Sequence, residues 1–163
     1  MPLVPFAALP DSARIWVFAS DVPLTGPSSD TLLSEVDGYL DQWKAHGFPL
    51  RAARSWQDNR FLVIGIDPTA EQASGCSIDD LFHALQRMQR TLGARLVGGG
   101  RVCYRDASGA TQSTTREEFS ALKNQGAIGP RTPVFDTSLT RLDDWKAKFE
   151  MPLADSWAAA LSA

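Results

Sequence analysis

Apolar and polar positions alternate so as to divide the chain into short strands and amphipathic helices. Ala13-Arg14-Ile15-Trp16-Val17-Phe18-Ala19 is rich in β-branched and aromatic residues and reads as a strand. The stretch 21–27 holds two prolines and a glycine, which marks a loop. Ser28, Ser29 or Asp30 then caps a helix whose Leu32, Val36, Tyr39, Leu40 and Trp43 recur at three and four residues on one face. His46-Gly47 is expected to close that helix, because glycine supplies the left-handed conformation of a helix C-terminus. Residues 50–56 and 60–66 read as two strands joined by the polar turn Gln57-Asp58-Asn59, the second buried on both faces along Phe61-Leu62-Val63-Ile64. A second helix is expected from about Ser77, with Ile78, Leu81, Phe82, Leu85, Met88 and Leu92 on one face and Gly93 as its stop. Residues 94–97 are long enough for a short strand, and Gly98-Gly99-Gly100 forms a flexible joint after it.

Beyond the joint, Val102-Cys103-Tyr104-Arg105 and residues 111–114 read as strands around a turn at Asp106-Ala107-Ser108-Gly109. Thr115-Arg116-Glu117-Glu118 is a capping box that opens a short helix through Phe119 and Leu122. A brief strand follows at Thr132-Pro133-Val134-Phe135. Leu142, Trp145 and Phe149 then mark a further helical face, and a tail carries Trp157.

Residues 1–97 therefore run strand, helix, strand, strand, helix and a last short strand. That is the order of a ferredoxin-like, split βαβ two-layer sandwich, although other two-layer α+β folds share it. Residues 101–163 form a second, smaller α+β module. A chain of 163 residues and 17.8 kDa is long enough to bury a core without staples. Its 44% apolar and 21% charged content is that of an ordinary globular protein. A net charge of −3 offers no basic footprint for nucleic acid. The longest apolar run, Phe61 to Ile66, is far too short to span a bilayer, so no membrane partner is expected. Met1-Pro2-Leu3-Val4-Pro5 has no basic n-region, which argues against a signal peptide and for a cytoplasmic protein. Two cysteines are too few for a disulfide scaffold. The two histidines and two cysteines lack a close ligand pair, so no metal is implied, nor is any cofactor. The oligomeric state stays open.

Three segments carry a resemblance: Trp43-Lys44-Ala45-His46-Gly47, Ala73-Ser74-Gly75-Cys76-Ser77-Ile78-Asp79 and Pro152-Leu153-Ala154-Asp155-Ser156-Trp157. Together they resemble a small, uncharacterised bacterial family often labelled as ABC transporter ATPases. The label does not carry over, because no segment matches the G-x-x-x-x-G-K-[ST] loop that cradles phosphates, and Gly99-Gly100-Arg101 leads into a strand rather than a helix. The second half is similar to bacterial GYF-like domains, on a hairpin ending in Tyr104, a helix with Glu118, Phe119 and Leu122, then Gly126-Ala127-Ile128, Thr132-Pro133-Val134 and Trp145. That resemblance implies a shallow aromatic surface, including Tyr104 and Trp145, that takes a protein or peptide partner. The chain departs from the pattern in lacking the Gly-Pro before the helix and the Gly-Tyr-Phe signature.

The expected topology also brings His46 and Cys76 to one end of the first domain, with Asp67 and Ser74. A cysteine at a helix N-terminus near an imidazole can become a thiolate at neutral pH, the nucleophilic form, and His46 would then act as base or cationic partner. Ser74, Gly75 and Ser77 would line the site, with Ser77 and the helix amides holding an oxyanion. Against this stands simple capping. Ser77 with Asp80 makes a capping pair, leaving Cys76 to pack on Leu81, while Asp79 and Asp80 oppose a thiolate. Two functions follow: a non-catalytic interaction or regulatory protein with a protein or peptide partner, or a thiol-dependent enzyme or redox-responsive protein using Cys76 with His46.

Overall fold

The protein is described from a computed structural model, which covers residues 3–97 and 99–161. It is a mixed α+β structure with small sheets. In chain order its elements are β1 (Arg14–Ala19), α1 (Pro27–Gln42), β2 (Lys44–Ala45), β3 (Phe48–Pro49), β4 (Ala52–Gln57), β5 (Phe61–Ile66) and α2 (Gly75–Leu92). The second half adds β6 (Arg101–Arg105), β7 (Thr111–Thr115), α3 (Arg116–Asn124), β8 (Pro133–Phe135), α4 (Leu142–Lys148) and β9 (Glu150–Pro152). Gly98 of the expected joint, like Met1 and Pro2, lies outside the described residues.

The first sheet is antiparallel, in the order β1-β5-β4, with Arg14 opposite Ile66 and Ala52 opposite the same residue from the other side. Strand side chains alternate between faces. Trp16, Phe18, Leu62, Ile64 and Ile66 therefore meet Leu32, Val36 and Leu40 of α1 and Leu81 and Leu85 of α2. The opposite face, with Ile15, Val17, Ala53 and Val63, is covered by Leu9 and Phe6 and by Leu142 and Trp145 of α4. Being covered on both sides, β5 is buried along its whole length.

The second sheet, order β7-β6-β8-β9, carries α3 through a core of Val102, Phe119, Ile128 and Val134. The halves share one apolar cluster, in which Phe61 meets Cys103, Phe135 and Phe149. Polar ties reinforce it. Arg60, only 6% exposed, donates to the Ser20 carbonyl at 3.1 Å and to the Thr111 carbonyl at 2.9 Å. Arg105 holds Glu150 through two bonds of 2.9 Å and reaches Asp58 in the β4–β5 turn.

Three boundaries differ from the sequence reading. α1 ends at Gln42 rather than at His46, because Trp43 leaves the helix in an extended conformation and its indole donates to the Ser77 carbonyl at 2.9 Å. His46 and Gly47, at φ 53° and 79°, instead form the two-residue turn between β2 and β3. α2 begins at Gly75 with Ser74 as its cap, not at Ser77. Residues 94–97 form no strand, since side chains take their amides: the Asp21 carboxylate accepts from Arg95, and the Gln89 amide oxygen from Leu96 and Val97, at 2.8–3.1 Å.

Candidate functional site

The first turn of α2 is a reciprocal capping box. The Ser74 hydroxyl accepts from the Ser77 amide at 3.1 Å, and the Ser77 hydroxyl accepts from the Ser74 amide at 2.8 Å. Gly75 and Cys76 are therefore the first two helical residues. Cys76 is exposed and does not pack as a staple, whereas Ser77 is buried at 3% exposure under Trp43. His46 is likewise exposed, at the tip of the β2–β3 turn, and α2 packs against β2. Both residues thus lie at the same end of the helical layer. Among the described residues, neither side chain holds a hydrogen bond or ion pair, with the other or with anything else. The Ser77 hydroxyl that would complete an oxyanion site is engaged with Ser74. Asp67 ends its strand as a local turn, taking Thr69 through its carboxylate, which those bonds hold below the usual carboxylate range.

Tyr104 and Trp145 pack in different apolar clusters. Tyr104 stacks edge-on against Phe119 at 5.9 Å, and burial pushes its phenol up. Trp145 lies between the halves, 5.7 Å from Phe6 and 5.5 Å from Phe149, with its indole N–H buried and without a partner. Trp157 covers the second core and donates to the Phe135 carbonyl at 2.9 Å.

A feature the sequence reading missed is a cleft of about 290 Å³ along the outer edge of β1. It follows from the pairing of that strand. Even-numbered residues of β1 turn their backbone groups to β5, as the bond from the Ser20 amide to the Arg60 carbonyl continues to show. Odd-numbered residues turn theirs outward. At one end the outward groups are met: the Ile15 amide donates to the Thr140 carbonyl at 3.0 Å, and the Ala13 carbonyl accepts from Leu142 at 3.0 Å. At the other end the Asp21 amide donates to the Arg95 carbonyl at 3.1 Å. Between these brackets, among the described residues, the amides and carbonyls of Val17 and Ala19 and the carbonyl of Ile15 have no partner.

The cleft floor is that strand, and its walls come from Phe82 and residues 95–97 on one side and from Arg101, Cys103, Ser113 and the 137–140 loop on the other. Arg95 and Arg101 are among its lining residues and no acidic residue is, while the Asp136 carboxylate beside it accepts from the amide and hydroxyl of Ser138. Arg101 donates through Nε and Nη2 to the hydroxyl and carbonyl of Ser113, at 2.8 and 2.9 Å. The exposed Arg95 side chain has no acidic partner among the described residues. Behind the wall, burial lowers the Arg60 pKa, and burial pushes the Cys103 thiol up despite the Ser113 hydroxyl and the nearby arginines, so Cys103 stays a neutral thiol. The signal in the sequence was the pair of arginines flanking the glycine joint.

Among the described residues, no group of three His, Cys, Asp or Glu side chains is placed to hold a metal ion. No helix among them is long and apolar enough to cross a membrane. Comparison with protein-family models, with curated proteins and with solved structures gives no match.

Proposed function

We propose that this chain is a non-catalytic interaction protein that takes an extended segment of a protein or peptide partner along the outer edge of β1. One observation carries the reading: Val17 and Ala19 present unpaired donors and acceptors inside a cleft. Extended peptides add to such edges, with main-chain hydrogen bonds giving affinity and flanking pockets giving selectivity. The order β1-β5-β4 with α1 and α2 on one face supports a ferredoxin-like, split βαβ unit. In that arrangement the last strand joins the outer edge of the first, and here the edge is open because residues 95–97 give their amides to side chains. The hairpin of β6 and β7 followed by α3 supports a GYF-like second module. Tyr104 and Trp145 are held in packed surroundings, so the partner is assigned to β1 rather than to them. Two free thiols suit a cytoplasmic setting.

The test is selection of a displayed random peptide library on the folded protein, followed by an NMR titration with the enriched peptide. Strand addition moves the Val17 and Ala19 amides and protects them from exchange. Enrichment of no peptide, or protection confined to other residues, overturns the reading.

A second reading, thiol chemistry at Cys76 with His46 and lined by Ser74, Gly75 and Ser77, is favoured by the exposure of Cys76 in the first turn of α2. Its test is iodoacetamide alkylation in a Cys103→Ser background. Rapid reaction at neutral pH that slows with His46→Ala supports it, and a rate indifferent to His46 leaves Cys76 a surface thiol.

A further inference from the structure

We infer that the segment taken up along β1 is acidic: an extended strand of about four or five residues with at least one Asp or Glu side chain directed at the Arg95–Arg101 side of the cleft. This rests on the strand-addition reading above and adds the chemistry of the partner. The unpaired groups run from the Ile15 carbonyl, in a residue only 1% exposed, to Ala19, four residue steps or roughly 13 Å at about 3.3 Å per step, which sets the upper length. The brackets at Thr140 and Arg95 close both ends, so a longer strand has no further edge to follow.

The chain's own 94–97 segment is not the occupant. Its amides are already bound to Asp21 and Gln89, and freeing them would leave the Gln89 oxygen without the donors it holds at 2.8 and 3.1 Å. A second copy of β1 is a poor match as well. Its edge would present Arg14 to a cleft already lined by Arg95 and Arg101, and like charges brought together at an interface oppose docking.

Charge complementarity selects the acidic strand. The protein carries −3 overall, yet the residues lining this cleft include Arg95 and Arg101 and no Asp or Glu. Two carboxylates stand beside lining residues and both are already engaged: Asp21 accepts from the Arg95 amide, and Asp136 accepts from the amide and hydroxyl of Ser138. Arg101 has Nε and Nη2 committed to Ser113, which orients the group and leaves Nη1 free to donate. A carboxylate arriving there gains a charge-assisted bond to an arginine whose side chain is already ordered. Alternation along the strand places successive partner side chains toward the Phe82–Leu96 wall and the Cys103–Leu139 wall. The expected motif is therefore an acidic residue interleaved with apolar ones.

The experiment selects a displayed library of random peptides on wild-type protein and on the Arg95→Glu variant. Binding of the enriched sequences is then measured by fluorescence anisotropy, with Val17→Pro as a control. The Val17 amide faces outward, so proline there removes a donor from the edge without breaking the ladder to β5. Circular dichroism confirms that each variant is folded, and Ala19→Pro replaces Val17→Pro if the latter is not. The expected result is enrichment of Asp and Glu among apolar residues. Affinity should fall about tenfold or more in Val17→Pro and about tenfold in Arg95→Glu, and the Arg95→Glu selection should lose its acidic bias. Peptides that depend on Val17 but show no acidic bias overturn the acidic assignment and leave strand addition standing. Peptides indifferent to both proline variants overturn strand addition itself. A concentration-dependent dimer abolished by Val17→Pro, seen by analytical ultracentrifugation, makes a second copy the occupant and likewise overturns the acidic assignment.

Discussion

Replacing Gly65 by alanine tests how the N-terminal segment is held on the first sheet. Gly65 is the penultimate residue of β5, opposite Ile15 and Ala53, on the face that Leu9 covers. A Cβ built there would lie 2.7 Å from Leu9 Cδ1 and 3.3 Å from Ile15 Cγ2. Apolar carbons pack best at about 3.5–4.0 Å, so the Leu9 methyl must retreat by roughly 1 Å. Leu9 is 5% exposed and packed in a cluster with Ala13, Val63 and Leu142, so its retreat disturbs that cluster. Overpacking of this kind costs about 1–3 kcal/mol. The smaller unfolded-state entropy of alanine returns about 0.4–1 kcal/mol, leaving a net loss centred on about 1.3 kcal/mol and no greater than about 2.6 kcal/mol. Urea denaturation followed by tryptophan fluorescence measures it. Leu9→Ala removes the colliding methyl, so in that background Gly65→Ala should cost nearly nothing, giving a coupling of about 1 kcal/mol or more. Additivity of the two changes within about 0.5 kcal/mol would refute the reasoning, because uncoupled sites add to that tolerance.

Four further outcomes follow from the same contacts. Trp157→Phe should cost more stability than Trp145→Phe, by about 1 kcal/mol, because only the Trp157 indole has an acceptor to lose; equal losses in chemical denaturation would contradict this. Arg60→Met leaves the Ser20 and Thr111 carbonyls without their donor and should cost about 2–4 kcal/mol, partly offset by relief of a buried charge; unchanged stability would show that the offset is complete. The Asp106 carboxylate, held down to about 2 by the Ser108 hydroxyl, by Gln112 and by the amides of its turn, has a depressed folded pKa, so its contribution is present above the ordinary value of 3.8 and is lost as pH falls toward 2. Carbon NMR of the Asp106 carboxyl should place its midpoint near 2, and a midpoint near 3.8 would show those bonds to be absent in solution. Tyr39, pushed up to about 12 by burial and by Asp80, has a raised folded pKa, so its contribution is present below pH 10 and disappears as pH rises from 10 to 12; ultraviolet titration showing both tyrosines ionising together near 10 would contradict this.

Much of the framework was legible where a local signal had one meaning. The apolar run Phe61–Ile66 demanded cover on both faces and has it, with helices on one side and Leu142 and Trp145 on the other. Thr115 caps α3 through the Glu118 amide at 3.1 Å, as its spacing required, and Asp58 and Asn59 take positive φ in the turn between β4 and β5. The misreadings fell where one signal serves two structures. His46-Gly47 asks for positive φ, which suits a helix stop and a two-residue hairpin turn equally, and the indole bond that draws Trp43 out of the helix is not visible in sequence. Ser74 and Ser77 both occupy cap-like positions, and only the reciprocal bonds show which is the cap. Residues 94–97 have strand-like composition, yet their amides are claimed by Asp21 and Gln89, whose side chains reach them from other elements.

That last diversion is what gives the fold its open edge. A strand of the sequence Arg-Ile-Trp-Val-Phe-Ala, with neither lysine nor proline among its outward positions, is the kind of edge that invites uncontrolled pairing. Two features restrict it. The outward groups are unpaired only from the Ile15 carbonyl, in a residue just 1% exposed, to the half-buried Ala19, and that window lies between Phe82 and Leu96 on one side and Cys103 and Leu139 on the other. On the proposed reading, Arg95 and Arg101 narrow the choice further, because a basic or neutral strand would gain nothing from them. Removing the charge at Arg95 should therefore broaden what the edge accepts, and Arg95→Ala should raise the tendency to aggregate on warming. Turbidity measured beside wild type at matched unfolding temperature checks this. A variant that is no more aggregation-prone would show that the walls alone protect the edge.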